Sequence, residues 1–197
     1  AKQIYDRVYA HFDRIGMDTK RVLNSFPINL TAGERQRCVI AISTILLPKM
    51  VIADEPTSAL DVSTQKEVIK MIFDLLDKGI FQSMIFITHE LPLLYHVADN
   101  IAIMYAGEIV EKGTAEQVVK DPRHPYTQAL MGAMLSTEAS QRGRHPVAIE
   151  GAPPSLKNKI VGCRFAPRCS KACPDCKKNT QNLRIVGDRD VRCDYAK

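Results

Sequence analysis

The sequence predicts an α/β protein, a parallel sheet flanked by helices, with a small Cys-rich module at its carboxyl end. Three observations carry this. Two short apolar runs, residues 50–53 (MVIA) and 83–88 (SMIFIT), are separated by a stretch of helical periodicity. Strands that alternate with helices build parallel sheets. Five of the six cysteines, Cys163, Cys169, Cys173, Cys176 and Cys193, fall after residue 160.

The elements follow in order. Ile4, Val8, Phe12 and Ile15 recur at helical spacing, and Gly16 is a natural stop, so a helix is expected over residues 1–15. The first residue is Ala1, and the opening residues read as the middle of a fold, so a fragment of a longer protein is expected. A second helix is expected over 33–47, with Cys38 as a small buried hydrophobe. After strand 50–53, Thr64-Gln65-Lys66-Glu67 reads as a capping box. The helix it opens has an apolar face of Val68, Ile69, Ile72, Leu75 and Leu76, and Lys78-Gly79 ends it. Strand 83–88 and a helix over 90–98 lead to a hairpin, 101–105 with 108–111, around Ala106-Gly107. This hairpin is expected as an antiparallel ribbon at the end of the parallel sheet. Two short helices over 115–120 and 125–135 precede a Ser-, Gly- and Pro-rich linker at 136–160. The Cys-rich module occupies 161–197.

Hydrophobic content of 45% and charged content of 25% are ordinary for a soluble domain. A net charge of +5 suits anionic partners and equally a solvated surface. The best apolar run, residues 38–47, is too short to span a bilayer and contains Ser43 and Thr44. With no signal peptide visible, a cytosolic chain is expected, where clustered cysteines favour metal over disulfides.

The chemistry concentrates where the first strand ends, in Asp54 and Glu55. Adjacent acids there either cap the turn at Pro56-Thr57-Ser58 or do chemistry, since ionised acids at the end of an apolar strand need strong partners. Parallel sheets place chemistry at strand carboxyl ends, and Thr88-His89 ends the second strand.

Four segments then line up: LTAGERQR (30–37), MVIADEP (50–56), SALD (58–61) and ITHE (87–90). Together they resemble the signature motif, Walker B strand, D-loop and switch histidine of ABC-type ATPases. The resemblance implies part of an ABC nucleotide-binding domain over 1–135. Residues 1–48 would be a helical subdomain and 49–113 the Walker B to switch-histidine half of the core. It implies ATP and Mg²⁺ as ligands, with Asp54 on the metal, Glu55 polarising the attacking water and His89 facing the γ-phosphate. Thr31, Ala32, Gly33 and Glu34, with Ser58 and Asp61, would complete a partner subunit's nucleotide site. Ala32 stands where the family pattern LSGGQ has its first Gly. No G-x-x-x-x-G-K-[ST] loop occurs in the sequence. Weak ATP binding by the chain alone is therefore expected.

Further on, HPYT (124–127), GAPPSL (151–156) and GCRFAPRC (162–169) resemble the C-terminal extension of oligopeptide, dipeptide and nickel importer ATPases. That resemblance implies an importer subunit at the cytoplasmic face of the membrane. Its partners would be a second ATPase subunit, identical or related, membrane-spanning permeases and, indirectly, a substrate-binding protein. It also implies Cys163, Cys169, Cys176 and Cys193 as ligands of a [4Fe-4S] cluster or Zn²⁺, with Cys173 an alternative to Cys176. The irregular spacing is less like paired zinc knuckles than like a cluster site. Two other readings stand beside this one: a catalytically silent regulatory fragment, and a soluble ABC ATPase acting on nucleic acid. The second expects a basic stripe with stacking aromatics, and the chain has no Trp and only scattered aromatic residues, so no nucleic-acid partner is expected.

Overall fold

The structure, a computed structural model, describes residues 2–95, 97–133 and 148–196. By its internal contacts the chain divides into two units, Ala1–His89 and Glu90–Lys197. The first unit runs α1 (Lys2–Arg14), α2 (Thr19–Leu23), a 3-10 turn (Pro27–Asn29), α3 (Ala32–Thr44), β1 (Met50–Asp54), α4 (Val62–Asp77) and β2 (Ser83–Ile87). The second runs α5 (Leu91–Tyr95), β3 (Asn100–Tyr105), β4 (Glu108–Thr114), α6 (Ala115–Lys120), α7 (Pro125–Ala133), a 3-10 turn (Ala166–Arg168), α8 (Pro174–Lys178), β5 (Arg184–Val186) and β6 (Arg189–Val191).

In the first unit β1 and β2 pair in parallel, with Met50 opposite Ser83 and Asp54 opposite Ile87. Helix α4 lays Val68, Met71, Ile72 and Leu75 into a core shared with Phe12 and Ile15 at the end of α1, Ala41 of α3, and Ile80 and Phe81. Val51, Met84 and Phe86 pack against that core from the sheet. The two strands are not buried through, as their apolar composition suggested. Met50, Ile52, Ile85 and Ile87 are 50%, 61%, 48% and 46% exposed. Alternating side chains point to opposite faces, and within this unit helices cover only one of them. Cys38 of α3 packs against the core and is half-buried, which pushes its thiol up.

One boundary is corrected. Helix α4 begins at Val62, not at Thr64, because the Asp61 carboxylate accepts the backbone N–H groups of Ser63 and Thr64, each at 3.1 Å. The Thr64 hydroxyl donates to the same carboxylate at 2.6 Å, so Thr64 lies inside the helix rather than capping it.

In the second unit the hairpin turns at Ala106 and Gly107, both at positive φ, as the sequence suggests. It is not an end ribbon of the parallel sheet. The strand order is β3-β4-β6-β5, so the hairpin is continued by two strands from the Cys-rich segment. The expected divisions at 135 and 161 follow composition, whereas the contacts join hairpin and Cys-rich segment in one unit. Residues 136–147 of the expected linker lie outside the described residues.

A buried ion pair fixes this unit. Glu111 on β4 and Arg189 on β6 are 0% and 5% exposed, with Arg189 Nη1 3.7 Å from Glu111 Oε1. Glu111 also accepts the N–H groups of Arg123 and His124 at 2.9 Å each, which anchors the loop before α7. Arg189 donates to the carbonyls of Gln117 and Asp121. Tyr105, Tyr126 and Phe165 pack tilted or edge-to-face with ring centroids 4.6 to 5.3 Å apart. The HPYT and GCRFAPRC residues thus meet in one aromatic cluster. No helix among the described residues is long and apolar enough to cross a membrane.

Candidate functional site

At the carboxyl ends of β1 and β2 the structure brings Glu55 and His89 together. Glu55 N–H donates to the Ile87 carbonyl at 2.9 Å, which extends the parallel ladder by one residue. Immediately there the chain bends, and Glu55 takes a φ of 46°, a left-handed conformation that a side chain with a Cβ rarely adopts. Such strain persists only where the surroundings fix it, and it clusters at functional sites. His89 Nδ1 lies 2.9 Å from Glu55 Oε1, and beside an ionised carboxylate the imidazole is the donor. Glu55 is half-buried and Asp54 beside it is exposed. Ser58 closes the turn, its hydroxyl donating to the Glu55 carbonyl at 3.2 Å.

The second group of expected residues gathers at the first turns of α3 and α4. Thr31 Oγ1 accepts the Glu34 N–H at 3.2 Å, and Glu34 Oε2 accepts the Thr31 N–H at 2.9 Å, a reciprocal cap. Glu34 is also paired with Arg21. The Glu34 N–H, expected to face phosphate, is therefore engaged in the cap. Thr31 accepts there, and its hydroxyl proton can still be donated. Ala32 is the first residue of α3, and a Cβ on Gly33 would come within 2.6 Å of Thr64 Cγ2. Glycine at 33 is thus what lets α3 approach α4. Asp61 is committed to α4: its hydrogen bonds from Ser63 and Thr64 hold its carboxyl far below the usual range.

In the second unit Cys163, Cys169, Cys176 and Cys193 line one cavity of about 340 Å³, together with His124, Phe165 and Lys171. Among the described residues no three His, Cys, Asp or Glu side chains are grouped as ligands of a single metal ion. Burial pushes the thiols of Cys163, Cys169 and Cys176 up. Cys173 differs: hydrogen bonding to the Tyr195 hydroxyl and to Cys176 pulls its thiol down. The Cys173 and Cys176 sulfurs are 3.1 Å apart. Arg164 and Arg168, beside these cysteines in sequence, are engaged within the fold. Arg164 pairs with Glu108 at 3.1 Å, and Arg168 donates to the carbonyls of Ile149 and Glu150 at 2.8 and 2.9 Å. His124 is buried with Nδ1 accepting the Tyr126 N–H at 3.0 Å. Desolvation pushes its imidazole down to about 4, opposed in part by a hydrogen bond to the Arg192 backbone.

Sequence reasoning missed Glu111, Arg189 and the strain at Glu55. Glu111 sits in an ordinary strand pattern. With Glu108 at the start of the same strand and Lys112 beside it, nothing local marks Glu111 as buried.

Comparison with known proteins gives two family matches, ABC transporter over residues 2–58 and the C-terminal region of oligopeptide/dipeptide transporters over 110–176. The dipeptide transport ATP-binding protein DppD of Caldanaerobacter subterraneus subsp. tengcongensis is 39% identical over 180 residues, 91% of this chain and 54% of that protein. The oligopeptide transport ATP-binding protein OppD of Bacillus subtilis is 48% identical over 158 residues, 80% of this chain and 43% of that protein. Among solved structures, CbiO1 of Clostridium perfringens, part of the ABC transporter complex CbiONQ, superposes with a TM-score of 0.53 at 28% identity. It covers 61% of this chain and 47% of that one. The chain spans about half the length of the curated relatives it matches.

Proposed function

We propose, for a chain homologous to the ATP-binding subunits of oligopeptide and dipeptide ABC transporters, that it supplies the hydrolytic carboxylate and its histidine partner to a Mg²⁺–ATP site that drives peptide import. The observation that carries this is the Glu55–His89 pair at adjacent parallel strand ends, 2.9 Å apart and open to solvent, with Asp54 beside it. Asp54 is an exposed hard-oxygen ligand suited to Mg²⁺ through its water shell. Glu55 accepts a proton from the water that attacks the γ-phosphate, and His89 holds that carboxylate in place. Thr31 and Gly33, at the start of α3, face the nucleotide of a second ATPase subunit. That subunit is identical or related, and the pair docks on membrane-spanning permeases at the cytoplasmic face of the membrane, served by a substrate-binding protein. Peptides are the favoured cargo because the relatives DppD and OppD are dipeptide and oligopeptide transport ATP-binding proteins, and nickel is the alternative.

The four cysteines around one cavity support a [4Fe-4S] cluster held by Cys163, Cys169, Cys176 and Cys193. A single zinc ion draws all its thiolates to within about 2.3 Å of one point, a poorer match to sulfurs arranged around a cavity. The cluster would supply folding energy to a segment whose own strands are three residues long.

The chain has no glycine-rich phosphate loop, so the site needs one from elsewhere. Titration of the purified chain with Mg²⁺–ATP tests this: binding weaker than about 100 μM is expected. A dissociation constant of about 1 μM or below would contradict the reading.

A further inference from the structure

Cys173-Pro174-Asp175-Cys176 is a C-x-x-C turn. The Cys176 N–H donates to the Cys173 carbonyl at 3.1 Å, which closes the turn. Such turns hold their ends within about 7 Å at Cα, and a disulfide spans about 4.4 to 6.8 Å. The sulfurs are already in contact at 3.1 Å. Access to them is unequal. Cys176 is buried and lines the four-thiol cavity, whereas Cys173 is half-buried and does not line it. The backbone of Cys176 is also pinned. Its carbonyl accepts the Cys163 N–H at 2.7 Å, and a Cβ on Gly162 would lie 2.5 Å from that same oxygen. Bridging Cys173 to Cys176 therefore takes side-chain rotation only. Cys173, the alternative ligand to Cys176, thus touches a cavity thiol from outside the cavity lining.

We propose that Cys173 and Cys176 form a redox-active dithiol, whose oxidation by a low-molecular-weight disulfide such as glutathione disulfide withdraws Cys176 from the four-thiol cavity. The accessible Cys173 thiolate attacks one sulfur of glutathione disulfide, forming a mixed disulfide and releasing one glutathione thiolate. The Cys176 thiolate then attacks the Cys173 sulfur, closing the internal disulfide and releasing the second glutathione thiolate. The protein loses two hydrogens, and glutathione disulfide is reduced to two glutathione thiols. A sulfur held in a disulfide is no longer a thiolate ligand, so oxidation and cluster binding exclude each other. This exclusion rests on the cluster reading above; the dithiol itself does not.

The test equilibrates the metal-free chain with a mixed glutathione and glutathione disulfide buffer, traps free thiols with iodoacetamide and digests with trypsin. Cleavage after Lys171 and Lys177 leaves both cysteines in one peptide, residues 172–177. That peptide is expected unalkylated and lighter by two hydrogens, with Cys163, Cys169 and Cys193 alkylated. Cys176→Ser is expected to stop at a glutathione adduct on Cys173, and Cys173→Ser to show neither adduct nor bridge. Full alkylation of the peptide while other cysteines oxidise would overturn the dithiol, as would a Cys173 adduct that persists with Cys176 present. In a second arm the chain is first reconstituted with iron and sulfide without oxygen, and the bridged peptide is expected to form at least about tenfold more slowly. An unchanged rate in an iron-loaded chain would overturn the exclusion. A bridge that forms in a chain unable to take up iron would leave the dithiol standing and remove the cluster.

Discussion

Glu55 shows how much one residue can be asked to do. Its backbone sits at positive φ, its N–H completes the parallel ladder, and its carboxylate meets His89 across the strand ends. The sequence marked Glu55 and His89 through their positions after two apolar runs and through the motifs around them. Strain of this kind leaves no trace in composition. His124 makes the opposite point, since its residue type suggests titration near neutrality but its burial forbids it. Its pKa falls from 6.5 to about 4, so between those values the unfolded chain takes up a proton that the folded chain refuses. Stability contributed this way is present above pH 6.5 and is lost as pH falls towards 4. The loss amounts to roughly 3 kcal/mol. His124→Asn keeps an acceptor for the Tyr126 N–H but cannot take the proton. Chemical denaturation across this pH range is expected to show a stability loss smaller by about that amount in the variant, and hence a shallower slope. Equal slopes would remove His124 from the acid response.

At the scale of elements, the long helices and the two strands of the first unit were legible because each carries its own period. Stops follow, as at Gly16 and Gly79, both at positive φ, whereas the five-residue α2 is too short to show a period. The start of α4 was not, since two polar side chains in the same turn compete to cap and only the fold shows Asp61 winning both N–H groups. Strands β5 and β6 were invisible for another reason. Three residues each, with arginines at 184 and 189, they acquire meaning only as a pair, β6 against β4 and β5 against β6. The buried Glu111–Arg189 pair links β4 to β6, and Glu111→Ala leaves Arg189 to its other partners Asp121 and Asp188, at 3.0 and 3.1 Å, and two N–H groups without that acceptor. A loss of about 3 kcal/mol is expected from urea unfolding of the second unit, chiefly from the two N–H groups left unsatisfied. A loss under about 1 kcal/mol would mean that the loop before α7 is held by something else. The β1–β2 sheet leaves Met50, Ile52, Ile85 and Ile87 on one exposed apolar face. Contiguous apolar faces drive association. The purified chain is therefore expected to self-associate in sedimentation, and Ile52→Lys with Ile85→Lys to return it to monomer. A monomeric unsubstituted chain would contradict this.

For the whole molecule, the division at His89–Glu90 separates two kinds of work. The first unit holds the acid and histidine pair and the capped start of α3. The second holds the aromatic cluster and the four-thiol cavity. The motifs for both were readable because each is short and ordered along the chain. The joining of hairpin and Cys-rich segment into one sheet was not, because strand order across some seventy intervening residues has no local signal. The account as a whole stands on Glu55 as the residue that activates water. The direct measurement is phosphate release by this chain complemented with a chain that carries a phosphate-binding loop, comparing it with Glu55→Gln while nucleotide binding is followed in parallel. Hydrolysis is expected to fall by about a hundredfold or more with binding retained, whereas release at an unchanged rate would contradict the account.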